Sequence, residues 1–409
     1  MPRVKAFKAV RPTPENAANV ASVPYDVVNR NEAAALAEGN ADSFLHVIRP
    51  DIDLPPETDP YSDEIYAKAK ENLAAFMANG VLNQDEADSV FLYRQIMNGV
   101  PQVGLVCCCH VDDYENNLIL KHEKTRPAKE DDRTRHIMTL GAHPGPLFLA
   151  YKDHADLNTK IAAAITEEPA VDFTAADGVQ HTVWQITDCA DYVAALSSVN
   201  EFYIADGHHR AASAWRSAGE REKANPNHTG DEEYNWFLAV LFPASQLNIL
   251  AYNRIIKDLN GLTADDVLTK LAEVGAVEAT DNPVPASPGS FCVYLDKKWH
   301  VVTVPADSID QSDPINSLDV ALLENRVITP IFGITDVRTD SRIDFVGGIR
   351  GTGELEKRVD SGDWAIAVSM YPTSIEQLMA VSDAGEVMPP KSTWFEPKLR
   401  SGLFVHMLD

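Results

Sequence analysis

A short apolar run, Phe202-Tyr203-Ile204-Ala205, stops at Asp206-Gly207 and passes directly into the alanine-rich segment His208 to Arg216. A short apolar run bounded by glycine reads as a strand, and the segment after it has good helix propensity. The order strand, glycine turn, helix constrains this chain more than any other stretch. It places His208, His209 and Arg210 in the first turn of the helix. The first backbone N–H groups of a helix have no internal partner, and the macrodipole adds partial positive charge there. With a guanidinium fork beside them, the corner reads as an anion pocket suited to a phosphate. Asp206 sits at its rim, facing a substrate amine, a hydroxyl or a metal. The competing reading is a buried aspartate and two core histidines at an ordinary corner. Two His, one Asp and one Arg within five residues weigh against it.

At 409 residues the chain is too long for one ordinary core, so two or more domains are expected. Hydrophobic residues at 45% and charged residues at 23% give the balance of a soluble globular protein. The 35 basic and 61 acidic side chains leave a net charge of −26, which repels phosphate backbones and anionic lipid. Nucleic-acid and membrane partners are therefore not expected. No stretch approaches the roughly 20 apolar residues that span a bilayer. The opening Met1 to Phe7 lacks the apolar core of a signal peptide. Five cysteines, three of them adjacent (Cys107, Cys108, Cys109), form no disulfide framework, and a cytoplasmic protein is expected. Successive strand residues point to opposite faces, so these three do not converge on one ion with His110. Small buried residues of a central strand account for them better.

The first fifty residues read as a strand, a loop at Val23 to Val28, a helix from about Asn31 to Glu38 capped by Asn31 or Asn29, and an extended piece from Ser43 to Arg49. Helices are expected over 61–79, 128–140, 156–166, 263–273, 316–326 and 374–382. Strands are expected over 89–110 (two, joined near Asn98-Gly99), 116–121, 147–151, 171–186, 237–242, 291–304 and 364–370. A boundary is placed near 245, giving domains 1–245 and 246–409. The mixture of strands and helices is α+β rather than a regular doubly wound sheet.

Four further motifs carry candidate chemistry. Met388-Pro389-Pro390-Lys391-Ser392-Thr393 is held extended by its prolines, so Lys391 and two hydroxyls are fixed for a phosphate or carboxylate. A proline-rich edge sealing the fold is an equal alternative. Pro24-Tyr25-Asp26 offers a loop carboxylate, although lone loop aspartates are usually turn or cap residues. His122-Glu123-Lys124-Thr125 sets a titratable pair beside a hydroxyl, but reads more naturally as a polar loop. Gly347 to Gly353 follows a strand-like run without G-x-G-x-x-G spacing or a clear following helix, and an exposed turn is the better account.

These residues resemble known proteins. Gly207 and Arg210 fill the Gly-x-x-Arg of the phosphate-binding signature of the ParB/sulfiredoxin superfamily. The motifs at 24–27, 122–125, 205–210 and 388–393 are similar, over nearly the full length, to a bacterial and archaeal family of unknown function. That family is similar in turn to the free-serine kinase, which phosphorylates L-serine with ADP and has ATP-using bacterial relatives. Pro372-Thr373 to Glu376, Leu378-Met379, Gly385-Glu386-Val387 and Pro390 to Thr393 resemble the kinase's C-terminal segment. Asp26 stands where the kinase has its catalytic glutamate, and Trp394-Phe395 where it has a histidine.

The resemblance implies a ParB/sulfiredoxin-like mixed-sheet core with an additional α/β C-terminal region. It also implies a phosphotransferase using ATP or ADP, with Mg2+, on a small hydroxyl amino acid such as L-serine. Gly207, His208, His209 and Arg210 would hold phosphates; Asp26, Asp206 and His208 would serve catalysis; Lys391, Ser392 and Thr393 would bind substrate. A nucleotide hydrolase or phosphatase on the same fold, or a non-enzymatic nucleotide-binding module, are the alternatives.

Overall fold

A computed structural model describes all 409 residues as a mixed α/β chain in two compact units. The first unit is Met1–Leu247 together with Pro397–Asp409; the second is Asn248–Glu396.

The first unit is built on a nine-stranded mixed sheet. In spatial order its strands are Ile119–Leu120, Phe202–Asp206, Leu147–Tyr151, Trp236–Pro243, Val100–His110, Val90–Met97, Gln180–Ile186 and Val171–Thr174. Val4–Lys5 also pairs with Val100–His110. Two of the pairings, Phe202–Asp206 on Ile119–Leu120 and Trp236–Pro243 on Leu147–Tyr151, are parallel; the rest are antiparallel. Trp236–Pro243 is buried almost throughout, which is why it reads as an unbroken apolar run. Cys107, Cys108 and Cys109 are wholly buried in Val100–His110, and burial pushes the thiols of Cys108 and Cys109 up. They pack as small apolar residues and stay protonated.

Helix Pro127–Leu140 lies against helix His208–Ala224, and Arg216 fastens them by ion pairs to Glu130 at 3.3 Å and Asp131 at 2.8 Å. The last thirteen residues return to this unit. Ser401 bridges Ser22, Val405 bridges Val10, and His406–Met407 pairs with Ala142–His143. Gln95, fully buried, donates to the carbonyl of Lys398 at 2.9 Å, which fixes where that lysine leaves the sheet.

The helix expected near 31–38 spans Arg30–Ala37, with Asn29 and Glu32 in a reciprocal capping box. Ser43 to Arg49, expected to be extended, instead contains the short helix Leu45–Ile48. Phe44, Leu45, Val47 and Ile48 are all buried, a spacing that one helical face serves and alternation does not. Tertiary packing overrides the β preference of those residues.

The second unit has a six-stranded antiparallel sheet, ordered Ala276–Ala279, Lys298–Thr303, Ser290–Leu295, Ile366–Met370, Tyr252–Ile256, Ile343–Gly347. Its core gathers Ile255, Cys292, Tyr294, Trp299, Val346, Leu355 and Ala367. Contrary to expectation, a helix does follow Gly347 to Gly353, at Thr352–Asp360. A Cβ at Gly347 would come within 2.8 Å of the Trp394 ring, so close packing requires that glycine. No helix of the chain is long and apolar enough to cross a membrane.

Acid lability is built into the first unit's core. Burial, reinforced by Arg133 and by Arg400 respectively, pushes His136 and His181 down to about 3. Both rings stay neutral when folded, whereas in the unfolded chain they take up protons near pH 6.5. The unfolded state therefore binds more protons between those values, and stability falls as the pH drops, by up to about 1.4 kcal/mol per pH unit for each ring. Urea midpoints measured stepwise from neutral pH downward are expected to decline steadily; a flat profile would contradict this.

Candidate functional site

Gly207 is where the chain changes direction. Its φ of +99° lies in the left-handed region, and it immediately precedes helix His208–Ala224. A Cβ there would meet only ordinary contacts, the nearest at 3.7 Å, so backbone conformation and not crowding calls for glycine. Gly207→Ala is expected to cost about 1–2 kcal/mol, read as a lowered urea midpoint with an unchanged slope.

The side chains of the corner grip four separate segments of the first unit. Asp206 accepts a hydrogen bond from Lys398 Nζ at 2.8 Å, which ties the returning C-terminal segment to the corner. Burial alone would raise the Asp206 carboxyl, but Lys398 and Arg210 outweigh it and hold the carboxyl well below the usual carboxylate range. His208 Nε2 accepts from the backbone N–H of His122 at 3.4 Å, and His209 Nε2 accepts from that of Arg126 at 3.1 Å. Arg210 donates through Nη1 to the carbonyl of Pro146 at 2.9 Å and through Nη2 to Asp26 Oδ1 at 3.3 Å. Four loops, remote from one another in sequence, meet at one helix N-terminus.

The histidines contribute no charge here at neutral pH. Burial and the neighbouring His208 push His122 down to about 3, and burial pushes His208 down to about 4 with His209 and Lys121 adding to it. His209 is lowered too, mainly by burial. Lys398 is balanced by Asp206, so attraction for an anion comes from the helix N-terminus and the Arg210 fork.

Asp26 is held at the mouth of this corner with 41% of its side chain exposed, against 14% for Arg210. The loop carrying it is fixed from behind by Arg49, which donates to the carbonyls of Tyr25 and Val28. Tyr25 presents its ring to two guanidinium groups, Arg133 at 4.2 Å and Arg210 at 5.5 Å. Burial and Asp26 together push its hydroxyl up to about 12. Beside it a small cavity of about 30 Å³, room for a water-sized group, is lined by Tyr25, Arg133, His136, His143, Arg210 and Ser401 among others. His143 is 4% exposed, and its Nε2 is buried without a hydrogen-bond partner.

Of the residues singled out in the sequence, Asp26, Asp206, Gly207, His208, His209 and Arg210 thus come together. Lys391, Ser392 and Thr393 belong to the second unit. There Lys391 adopts a left-handed φ of +59° and its Nζ lies 5.5 Å from the Tyr252 ring centroid. Ser392 is buried, and its hydroxyl donates to the Pro389 carbonyl at 2.6 Å. That hydroxyl serves the loop itself.

One residue of the site escapes the sequence, and one motif is weighed there as the weaker reading. Lys398 carries no local signal, because its partner is 192 residues away. His122-Glu123 had been taken for a polar loop, yet the His122 ring packs edge-on against His208 with centroids 4.4 Å apart. The ligand atoms of His122, Glu123 and His208 lie within 4.8 Å of one another. Mg2+, which takes oxygen ligands, does not fit this set; Asp206 is paired with Lys398 and Asp26 with Arg210.

A protein-family profile described as "Protein of unknown function (DUF1015)" matches residues 4–321. No curated protein sequence matches the chain. Among solved structures, a conserved hypothetical protein from Pyrococcus furiosus is 14% identical, with a TM-score of 0.35 over 74% of this chain and 95% of that one. A free serine kinase in complex with AMP is 12% identical, with a TM-score of 0.35 over 73% and 91%. SbnI with a C-terminal truncation, from Staphylococcus aureus, is 12% identical, with a TM-score of 0.40 over 74% and 87%. Likeness this remote carries no activity across to this chain.

Proposed function

The chain belongs to the DUF1015 family of proteins of unknown function, and from that premise we propose that it is a nucleotide-dependent phosphotransferase acting on a small hydroxyl amino acid, free L-serine. The observation that carries this reading is the pairing of Asp26 with Arg210, 3.3 Å apart, at a helix N-terminus opened by Gly207. A carboxylate able to take a hydroxyl proton stands beside a cradle able to hold the transferring phosphoryl group. In this reading the first unit's mixed sheet is a ParB/sulfiredoxin-like core, with Gly207 and Arg210 as its Gly-x-x-Arg.

Phosphoryl transfer needs positioning and charge stabilisation more than covalent help from the protein. The N–H groups of the first helical turn and the Arg210 fork hold the terminal phosphates of ATP or ADP. The acceptor lies at the open mouth of the corner, with its hydroxyl directed at Asp26. As the hydroxyl oxygen attacks phosphorus, its proton passes to Asp26. The bond from phosphorus to the bridging oxygen breaks, and the shortened nucleotide leaves with that oxygen. Asp206 and Lys398 form a neutral ion pair that ties the C-terminal segment to the rim of the corner. His208 and His209 act by holding the loop 122–126, and as neutral hydrogen-bonding groups.

The test is nucleotide consumption by the full chain with and without L-serine, using ATP and ADP in parallel, with O-phosphoserine quantified by mass spectrometry. Phosphoserine appearing in step with nucleotide loss supports transfer. Nucleotide loss independent of any amino acid assigns the site to hydrolysis instead.

A further inference from the structure

We propose that His122, Glu123 and His208 form a site for one divalent first-row transition ion, Zn2+ by the chemistry of its donors. The inference stands on the donor set and not on the reaction proposed above.

Two imidazoles and one carboxylate, with their ligand atoms within 4.8 Å of one another, converge from separate parts of the chain. His208 comes from the first turn of the helix and His122-Glu123 from the loop after strand Ile119–Leu120. The rings are 2% and 7% exposed for His122 and His208, and Glu123 is half-buried, so this is no chance cluster on a solvated face. A four-coordinate ion with bonds of about 2.1 Å sets its ligands about 3.4 Å apart. The ligand atoms must close in from as much as 4.8 Å to reach that spacing. A hydrogen bond already orients one ligand: the ring of His122 is bonded to the backbone carbonyl of Ile204. This second contact selects the tautomer whose opposite nitrogen is an acceptor, the arrangement usual for metal-bound histidine.

Donor chemistry selects the ion. Mg2+ and Ca2+ take oxygen ligands, whereas two imidazoles with one carboxylate suit zinc and its neighbours. Three protein ligands leave a fourth position open, as in metal sites that bind a water or a substrate oxygen and unlike closed structural sites. The partial positive charge of the helix N-terminus opposes a cation here. Glu123 as a ligand, and Asp206 two residues before His208, supply the negative charge that offsets it.

The test uses the full-length protein, stripped with a chelator and titrated with Co2+ alone, which reports its coordination through visible d–d absorption. The expected result is saturation at one equivalent, bands of a low-coordinate nitrogen and oxygen site, and their loss on adding Zn2+. His208→Ala is expected to weaken Co2+ binding by at least about 10-fold. Glu123→Gln, at a half-buried position, should do the same with the fold kept, as judged by circular dichroism. His300→Ala in the second unit should leave the titration unchanged. Absence of a saturable band, or equal binding by the Glu123→Gln protein, would overturn the proposal.

Discussion

Replacing Asp26 with asparagine is expected to lower kcat for phosphoryl transfer by about 10²- to 10⁴-fold while leaving nucleotide affinity nearly unchanged. Asn keeps the shape of the side chain and its hydrogen bond from Arg210, but it does not accept a proton from the attacking hydroxyl. The loop should stay in place, because Arg49 holds the carbonyls of Tyr25 and Val28 independently of the carboxylate. Steady-state kinetics with both nucleotides, alongside calorimetric binding of the same nucleotide, separate the two effects. A variant with the wild-type rate would remove Asp26 from the reaction. A variant that had lost nucleotide binding would make it a structural residue of the cradle.

Arg210→Lys should damage both steps. The guanidinium spans two acceptors, the Pro146 carbonyl at 2.9 Å and Asp26 at 3.3 Å, while remaining at the helix N-terminus. An ammonium keeps the charge and loses the planar fork, so it does not hold both acceptors and a phosphate in one geometry. Charge-assisted hydrogen bonds are each worth roughly 1.5–3 kcal/mol. Losing one to phosphate predicts about 10- to 100-fold weaker nucleotide binding, with a further drop in kcat as Asp26 is released from its position. The two effects appear separately in KM for the nucleotide and in kcat. A variant within about twofold of wild type in both would show that charge alone, and not the fork, is used.

How much of this was readable in the chain depends on the range of the interaction. The corner was legible because its signals are local: an apolar run, a glycine, then an alanine-rich helix. The expected pairing of Asp26 with the corner followed from resemblance, and the structure sets that carboxylate 3.3 Å from Arg210. The cap at Asn29 and the buried cysteine strand are likewise written within a few residues. The short helix at Leu45–Ile48 was hidden because β-branched residues over four positions fit either structure until the core around Phe44 decides. Lys398 was not legible, and of the His122–Glu123–His208 group the sequence showed the members but not their meeting. Their partners are set by which strands lie side by side in the sheet, and no spacing along the chain records that. The sequence leaves the protonation of His208 and His209 open; burial lowers both, and their rings hold the loop 122–126.

The central claim is that the nucleotide's terminal phosphates rest on the backbone N–H groups at the start of helix His208–Ala224. A crystal structure of the full chain with ADP bound tests it most directly. The account predicts phosphate oxygens within hydrogen-bonding distance of the first-turn amides and of the Arg210 guanidinium, with Asp26 facing the terminal phosphorus. Phosphates bound elsewhere, with that helix end left to solvent, would contradict it.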